Sequence, residues 1–484
     1  MEEKNKYKIE IIKTFLEEKK YDIIVNQKIL ESKIRTSLLI HYYYNNEIKE
    51  KIKDNSFPFE IKNEFHCTDI HGDMCLLINH IINSGLGNLN KEEPALLYKI
   101  ENKEKKQIPF TMENLKDKNT IIVPNFEINP DFIKENKKFI FHGDLFNRGN
   151  ESISCFIAML NLIDDFNKKK IELNNQNDSC LLWLAGNHDV DFLTTKYIYN
   201  EKEYGDDKLE FIRNELEKLL KGNNFVFCYH TKGTNVLSSH TIFNKEETID
   251  FLKNITGNKE QIYSKIINKI EENKDLNNED IENLSLIVNK YFNSSVLEKK
   301  EEFLFRAFCA NEKNKGLLCF KTIFNYNTID GLKMIIGHND DKNSPTFLNN
   351  VLCLDVGGSI GFNSPDGVYK SYEIYSDYLS LQDGNIIQYK VYEKDIRAPF
   401  LNSKIKKGEK LNEEFKLLLR LMPNSFGSGI PISYRENENN FPKSNLINLL
   451  NGNQNILSFK PNEETGQTDK LKEKCPQKSN NLSQ

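Results

Sequence analysis

The stretch GDLFNRG, at residues 143–149, ends a short apolar run that begins at Phe139. The motifs DIH, at 69–71, and GNHD, at 186–189, also follow apolar runs. Acidic, amide and imidazole side chains in such places are expected where a β-strand reaches the rim of a sheet and presents a ligand there. The three motifs therefore predict one site, whose residues are distant in sequence and are brought together by the fold.

The segments around these words alternate between strand and helix patterns. A strand pattern ending at Asp69 is followed by helical periodicity from Met74 to Ile82, closed by Gly85. The same order returns with a predicted helix at 152–166 and a strand at 180–185. This repeated order predicts an α/β protein.

Composition divides the chain into three parts. Residues 1–60 are predicted to form a helical N-terminal addition and 61–400 the central domain, while 401–484 form a polar C-terminal extension, disordered after 436. Within the central domain, 88–138 is predicted to be a flap-like insertion over the site. Residues 245–320 are predicted to be a helical insertion or cap that selects a substrate or binds a protein partner.

Composition also excludes several classes of protein. A net charge of −5 and a pI near 6.1 give no electrostatic case for nucleic acid as a partner. No stretch approaches the roughly 18–20 apolar residues that span a bilayer. The nine cysteines form no CxxC pair, which predicts reduced thiols in a cytoplasmic, intracellular protein.

The polar side chains of these motifs are of the kinds that bind a pair of metal ions. Two divalent ions about 3.5–4 Å apart can generate a hydroxide, orient a phosphate and neutralise its charge during an in-line displacement. Oxygen and nitrogen donors without thiolate favour Mn, Fe or Zn over copper. The predicted ligands are Asp69 and His71 for one ion, Asp144 as the bridge, and Asn187, His240 and His338 for the other. His230 competes with His240 for its position, and we prefer His240.

These short sequences resemble the motifs of the calcineurin-like metallophosphoesterases, and GDLFNRG is similar to the second motif of the phosphoprotein phosphatase branch. The resemblance covers roughly residues 65–362. It implies an α/β (α+β) fold in which a two-sheet β-sandwich is flanked by helices, with the helical N-terminal addition and helical insertion appended. It also implies that 61–400 is the catalytic domain and that the cofactors are two divalent ions, with manganese preferred and iron or zinc as alternatives.

The resemblance also assigns roles outside the metal ligands. It implies that His188 is the general acid for the leaving group and that Arg148 holds the phosphate oxygens, which suits a planar guanidinium. Asn187 is expected to contact the substrate as well. Arg306 is the candidate for the family's second phosphate-binding arginine, but its apolar neighbours leave a structural role open.

One departure from the family pattern affects the predicted acid. The second motif normally carries Asp where this chain has Asn147, and that Asp pairs with the catalytic histidine. An amide can orient His188 but cannot stabilise an imidazolium by charge. The neighbouring Asp189, where Glu is common, is expected to compensate.

The predicted function is therefore hydrolysis of phosphomonoesters by in-line attack of a metal-bridging hydroxide. The substrate is expected to be a phosphoprotein, because the two insertions add surface. One alternative is a hydrolase of dinucleoside polyphosphates or other small phosphoesters, which the segment around Asp355 resembles. Another is a non-catalytic, metal-stabilised binding protein, for which Asn147 is the argument. In outline the chain is also similar to bacterial effectors that are delivered into host cells.

Overall fold

A computed structural model gives the fold of the chain. It describes residues 63–147, 151–194, 201–256, 261–300, 327–338 and 350–354, six short strands outside these ranges and a few single positions. The predicted extension at 401–484 and most of the predicted addition at 1–60 lie outside the described residues. Among the described helices, none combines the length and the apolar character needed to cross a membrane.

The described strands, in chain order, are β1 (Lys51–Asp54), β2 (Glu64–Cys67), β3 (Gly87–Leu89), β4 (Ala95–Glu101), β5 (Glu104–Ile108), β6 (Ile121–Pro124), β7 (Phe126–Ile128), β8 (Lys138–Phe141), β9 (Cys180–Leu184), β10 (Phe225–Val226), β11 (Cys228–His230), β12 (Val236–Ser239), β13 (Ala310–Asn311), β14 (Asn314–Lys315), β15 (Lys333–Ile336), β16 (Thr346–Leu348), β17 (Val351–Cys353), β18 (Leu379–Gln382) and β19 (Asn385–Lys390). The described helices are α1 (Met74–Asn83), α2 (Met112–Lys116), α3 (Pro130–Lys134), α4 (Ser152–Glu172), α5 (Asn187–Leu193), α6 (Glu201–Lys221, interrupted at Gly205), α7 (Lys245–Thr256), α8 (Gln261–Glu271) and α9 (Asn278–Leu297).

Two larger sheets form the centre of the fold. One has the strand order β1-β19-β18-β2-β8-β9-β10, and the other has the order β11-β12-β15-β17-β16. Strands β2, β8, β9 and β10 run parallel in the first sheet, as do β12, β15 and β17 in the second. The carboxyl ends of parallel strands meet at one edge, where ligands bind in such sheets. The predicted α/β class, with two sheets flanked by helices, is confirmed.

A buried polar network joins the two sheets around the carboxylate of Glu64. This group, on β2, accepts hydrogen bonds from Tyr229 Oη and Thr231 Oγ1, both at 3.0 Å, from the second sheet. On the first sheet, Lys138 Nζ and His66 Nε2 lie 3.4 Å and 3.3 Å from its oxygens. Burial by itself would raise the pKa of Glu64, but the hydrogen bond and charge of His66 and the charge of Lys138 lower it overall. The carboxylate therefore binds partners on both sheets.

The insertion predicted at 245–320 is helical over α7, α8 and α9. Its attachment to the second sheet centres on Asn289 of α9, whose Oδ1 accepts from the backbone N–H groups of Phe227 and Cys228 at 2.9 and 3.1 Å. Asn289 Nδ2 donates to the carbonyl oxygen of Cys228 at 2.8 Å. One side chain thus satisfies three backbone groups at the start of β11 and anchors the helix there.

The insertion predicted at 88–138 contains its own three-stranded sheet, β5-β4-β6. This sheet packs on α4 and α6, and two hydrogen bonds join it to Asn161 of α4. Asn161 Nδ2 donates to Tyr98 Oη at 3.0 Å, and Lys105 Nζ donates to Asn161 Oδ1 at 2.9 Å. The contacts described for this sheet are with helices and not with the site. The predicted flap over the site therefore stays a prediction.

We expect Glu64→Ala to lower the free energy of unfolding by about 3 kcal/mol or more, because it leaves buried partners without their acceptor. The measurement is urea unfolding at pH 7. Glu127→Ala, at an exposed position of β7, is the matched control and should change stability by less than about 0.5 kcal/mol.

The contribution of Glu64 should also depend on pH. Because its folded-state pKa is lowered, the stabilisation is present above the unfolded pKa and is lost as the pH falls through the folded pKa. The difference between wild type and Glu64→Ala should therefore shrink in acid. A difference that is constant with pH, or equal to that of the Glu127 control, would contradict this account.

Candidate metal centre

The predicted ligands lie at one edge of the two sheets. Each follows a strand directly or after one to three residues: Asp69 and His71 after β2, Asp144 after β8, Asn187 after β9, His240 after β12 and His338 after β15. Backbone hydrogen bonds join their loops. Asp69 N donates to Gly143 O at 3.0 Å, His71 N to Asp144 O at 2.8 Å, and Gly337 N to His240 O at 3.0 Å. The structure thus brings together residues that are up to 269 positions apart in the chain.

Four of the predicted ligands have a left-handed backbone. The φ angles are +50° at Asp69, +47° at His71, +57° at Asp144 and +64° at His338. Non-glycine residues rarely adopt this region, and each instance costs on the order of 1–3 kcal/mol. The strain persists because hydrogen bonds hold the loops from both sides, and such strain concentrates at functional sites.

Two glycines allow the loops after β8 and β9 to touch. A Cβ atom at Gly143, where φ is +87°, would lie 2.4 Å from the backbone nitrogen of Gly186. A Cβ atom at Gly186 would lie 2.3 Å from Oδ1 of Asp144. No side chain fits at either place, so glycine is required directly before Asp144 and directly before Asn187.

The donor atoms converge in two groups that share Asp144. The groups, whose donor atoms lie within 4.8 Å of one another, are His71, Asp144 and His188, and Asp144, His240 and His338. In the first, His71 Nε2 lies 3.6 Å from Asp144 Oδ2 and 3.4 Å from Asp69 Oδ1. In the second, His240 Nε2 lies 3.4 Å from Asp144 Oδ2, 3.1 Å from Asn187 Oδ1 and 2.9 Å from His338 Nδ1. Asp144 therefore has the position that a bridging carboxylate needs.

The electrostatics of the cluster fit bound cations. Burial disfavours the charged ring of His240, but the Asp144 carboxylate beside it raises its pKa to about 10. Burial and the neighbouring His240 charge lower the pKa of His338 to about 3. The two buried carboxylates, Asp69 and Asp144, thus favour positive charge beside them, and buried charge of this kind is ordinarily paired or bound to metal. Carboxylate, amide and imidazole donors match a pair of divalent ions.

Backbone carbonyl groups set which nitrogen of His71 and of His240 faces the cluster. His71 Nδ1 lies 3.0 Å from Phe146 O, and His240 Nδ1 lies 2.6 Å from His142 O. A carbonyl oxygen can only accept, so the Nδ1–H of each ring donates to it and Nε2 is left for a metal. These carbonyl partners could not be recognised in the sequence, because any residue can supply them.

His188 lies beside the buried cluster on the first turn of α5. Its backbone N–H donates to Asp144 Oδ1 at 2.9 Å, and its ring packs edge-on against that of His71, with centroids 5.2 Å apart. On its far side, His188 Nδ1 is 2.9 Å from the Asn147 amide nitrogen and 3.8 Å from Asp191 Oδ2. Asp191 was not predicted from the sequence, although its i+3 spacing from His188 was a usable signal.

Asp189 is placed differently from the expectation that it compensates for Asn147. Its buried carboxylate accepts from the N–H groups of Asp144, Leu145 and Gly186 and from Trp183 Nε1, all at 2.9–3.0 Å. Burial and then the Asp144 charge raise the pKa of Asp189 to about 7, and the Gly186 and Trp183 donors act against this shift. The carboxylate holds the ligand loops together, and it is engaged with N–H groups other than those of His188.

The other predicted residues divide into two groups. Arg148 and Arg306 lie outside the described residues, and so does Asp355. His230, the competitor of His240, donates from Nε2 to Thr234 O at 2.7 Å within the turn after β11. Of the two histidines, His240 is the one beside Asp144.

One known family matches the part of the chain that contains the predicted ligands other than His338. Residues 65–284 match the family model of the calcineurin-like phosphoesterases. No curated protein matches the chain. Among solved structures, the cold-active protein-tyrosine phosphatase of a psychrophilic Shewanella species is similar at 14% identity and a TM-score of 0.34, over 68% of this chain and 77% of that one. A second structure of a cold-active protein tyrosine phosphatase gives the same identity and TM-score, over 68% and 76%.

We expect Asp144→Ala to lose both metal ions, because both donor groups include its carboxylate. His240→Ala removes a donor from only one group and should retain about one ion per chain. The measurement is metal analysis of protein that has been loaded with Mn²⁺ and desalted. Asp250→Ala, at an exposed position of α7, is the control and should bind as wild type does. Two ions retained by Asp144→Ala would rule out a shared ligand.

Proposed function

The chain carries a calcineurin-like phosphoesterase domain at residues 65–284, and from this premise we propose that it is a phosphatase acting on phosphomonoesters of proteins. The domain supports a metal-dependent phosphoester hydrolase. Our proposal adds the substrate class, the metal and the roles of the residues around the cluster.

The observation that carries the proposal is the position of His188 at the edge of a buried donor set. Asp69, His71, Asp144 and His240 are buried, whereas the side chain of His188 keeps 12% of its surface exposed. A phosphate that approaches from solvent meets His188 as it reaches the cluster. An imidazole in this place is suited to protonate the leaving group.

Each ion would be held by residues of this chain. Asp69, His71 and Asp144 would hold one, and Asp144, Asn187, His240 and His338 the other. When bound, two divalent ions lower the pKa of water and neutralise phosphate charge. We propose manganese, with iron or zinc as alternatives, because the donors are oxygen and nitrogen.

The residues around the ions would orient the substrate and move a proton. In our proposal His188 Nε2 gives its proton to the leaving oxygen, while Nδ1 faces Asn147 and Asp191. Arg148 follows Asn147 directly in the chain, and we propose that its guanidinium binds the phosphate oxygens in a bidentate manner. Asn187, half-buried beside His240, would contact the phosphate as well.

The helical insertion is an argument for a large substrate such as a protein. Asn289 of α9 is bonded to the start of β11, and β11 pairs with β12, the strand that ends at His240. The insertion thus adds surface to the sheet that carries part of the donor set. A protein partner on this surface, and delivery into a host cell as an effector, stay predictions.

We expect the Mn²⁺-loaded protein to hydrolyse p-nitrophenyl phosphate. His188→Ala should lower kcat by about 10²–10⁴-fold, the usual contribution of a general acid, while the bound metal is retained. His230→Ala is the matched histidine control, because His230 is bonded within its own turn, and it should keep wild-type kcat. Unchanged kcat in His188→Ala would remove His188 from the mechanism.

We expect a higher kcat/KM on phosphopeptides than on diadenosine tetraphosphate in a side-by-side assay with the Mn²⁺-loaded protein. A panel of phosphoserine, phosphothreonine and phosphotyrosine peptides also gives the residue preference. A large preference for the nucleotide would replace our proposal with a dinucleoside polyphosphate hydrolase. Metal-loaded protein that turns over neither class, nor an aryl phosphate, would be a binding protein.

A further inference from the structure

Two polar groups face the same nitrogen of His188. The Asn147 amide nitrogen is 2.9 Å from Nδ1, and Asp191 Oδ2 is 3.8 Å from it. His188 and Asp191 are three residues apart on α5, so their side chains share a face of the helix. Both are only partly exposed, at 12% and 23% of their side-chain surface.

The acid form of His188 needs an acceptor at Nδ1. An imidazole that donates a proton from Nε2 still carries a proton on Nδ1, so Nδ1–H must donate to an oxygen. As placed, the Asn147 amide presents its nitrogen to Nδ1, and this nitrogen is a donor; its oxygen would accept there only after the amide turned over. The Asp191 carboxyl oxygen on the same side of the ring can accept.

We propose that Asp191 is the positioning residue of His188 and supplies, from one turn along α5, the carboxylate that position 147 lacks. This inference rests on the proposed function, because it takes His188 as the general acid. Asp191 would accept from Nδ1–H, fix the plane of the ring and keep Nε2 turned towards the leaving group.

The role of Asp191 is one of orientation. Burial, followed by the charges of Asp144 and Asp189, raises the pKa of Asp191 to about 8. A carboxyl oxygen can accept from Nδ1–H whether or not the group is ionised. A hydrogen bond from Nδ1–H to Asp191, formed when the present separation of 3.8 Å closes, therefore does not depend on the charge of Asp191.

The first test compares leaving groups. In the Mn²⁺-loaded full chain, Asp191→Ala should lower kcat for phenyl phosphate about tenfold or more, with KM within about twofold of wild type. For 2,4-dinitrophenyl phosphate, whose leaving group needs little protonation, the loss should stay under about threefold. Asp207→Ala, at an exposed position of the neighbouring α6, is the matched control and should leave both rates unchanged.

The second test is rescue from position 147. In an Asn147→Asp background a carboxylate faces Nδ1 again, so adding Asp191→Ala should cost less than about threefold with phenyl phosphate. A packing role for Asp191 would not be rescued in this way. Thermal unfolding and bound metal are measured for each variant, and if Asp191→Ala does not fold, Asp191→Leu keeps the volume and removes the oxygens.

The outcomes separate this inference from the proposed function. Equal losses with both leaving groups, or no rescue by Asn147→Asp, would make Asp191 structural. Unchanged activity in Asp191→Ala would leave the orientation of His188 to Asn147 alone. Either result overturns the inference while an active wild type upholds the phosphatase, whereas a wild type inactive on every substrate overturns the proposed function and the inference with it.

Discussion

The centre depends on one buried carboxylate, that of Asp189. It accepts hydrogen bonds from the N–H groups of Asp144, Leu145 and Gly186 and from the Trp183 ring. These donors come from the loop after β8 and from the end of β9, so a single group ties together two neighbouring strands. Satisfied buried networks of this kind fix one geometry, because every unmade bond would cost the full desolvation of its polar group.

That constraint accounts for the strained backbone and for the electrostatics together. With the two loops held in contact, Asp144 stays at φ +57° and directs one oxygen to the His188 amide and the other to His71 and His240. Its charge is then fixed in a buried place, where it raises the pKa of His240 to about 10. Two buried carboxylates beside these rings favour positive charge in the site, which is what a bound cation supplies.

The sequence alone was sufficient for the α/β class and for the convergence of the predicted ligands at one edge, because hydrophobic runs predict strands and parallel strands bring their carboxyl ends together. It was insufficient for Asp189 and Asp191. Both aspartates lie close in the chain to a predicted metal ligand and to the proposed acid, so sequence position does not reveal their roles. Only the direction of each side chain on α5 distinguishes the two. Asp189 turns back to the helix start, as a residue at position N3 of a helix can, while Asp191 follows one turn behind His188. The left-handed angles were equally hidden, since they arise from contacts between distant loops.

The division between a buried donor set and a partly exposed His188 limits where selectivity can arise. Asp69, His71, Asp144 and His240 are too buried to distinguish one phosphoester from another by its leaving group. Discrimination must therefore come from residues nearer the solvent, which include His188, Asp191 and the surface that α9 adds beside β11. The departure at Asn147 is at a buried residue that contacts His188 Nδ1, so the partner of the proposed acid can differ while the predicted ligands stay in place.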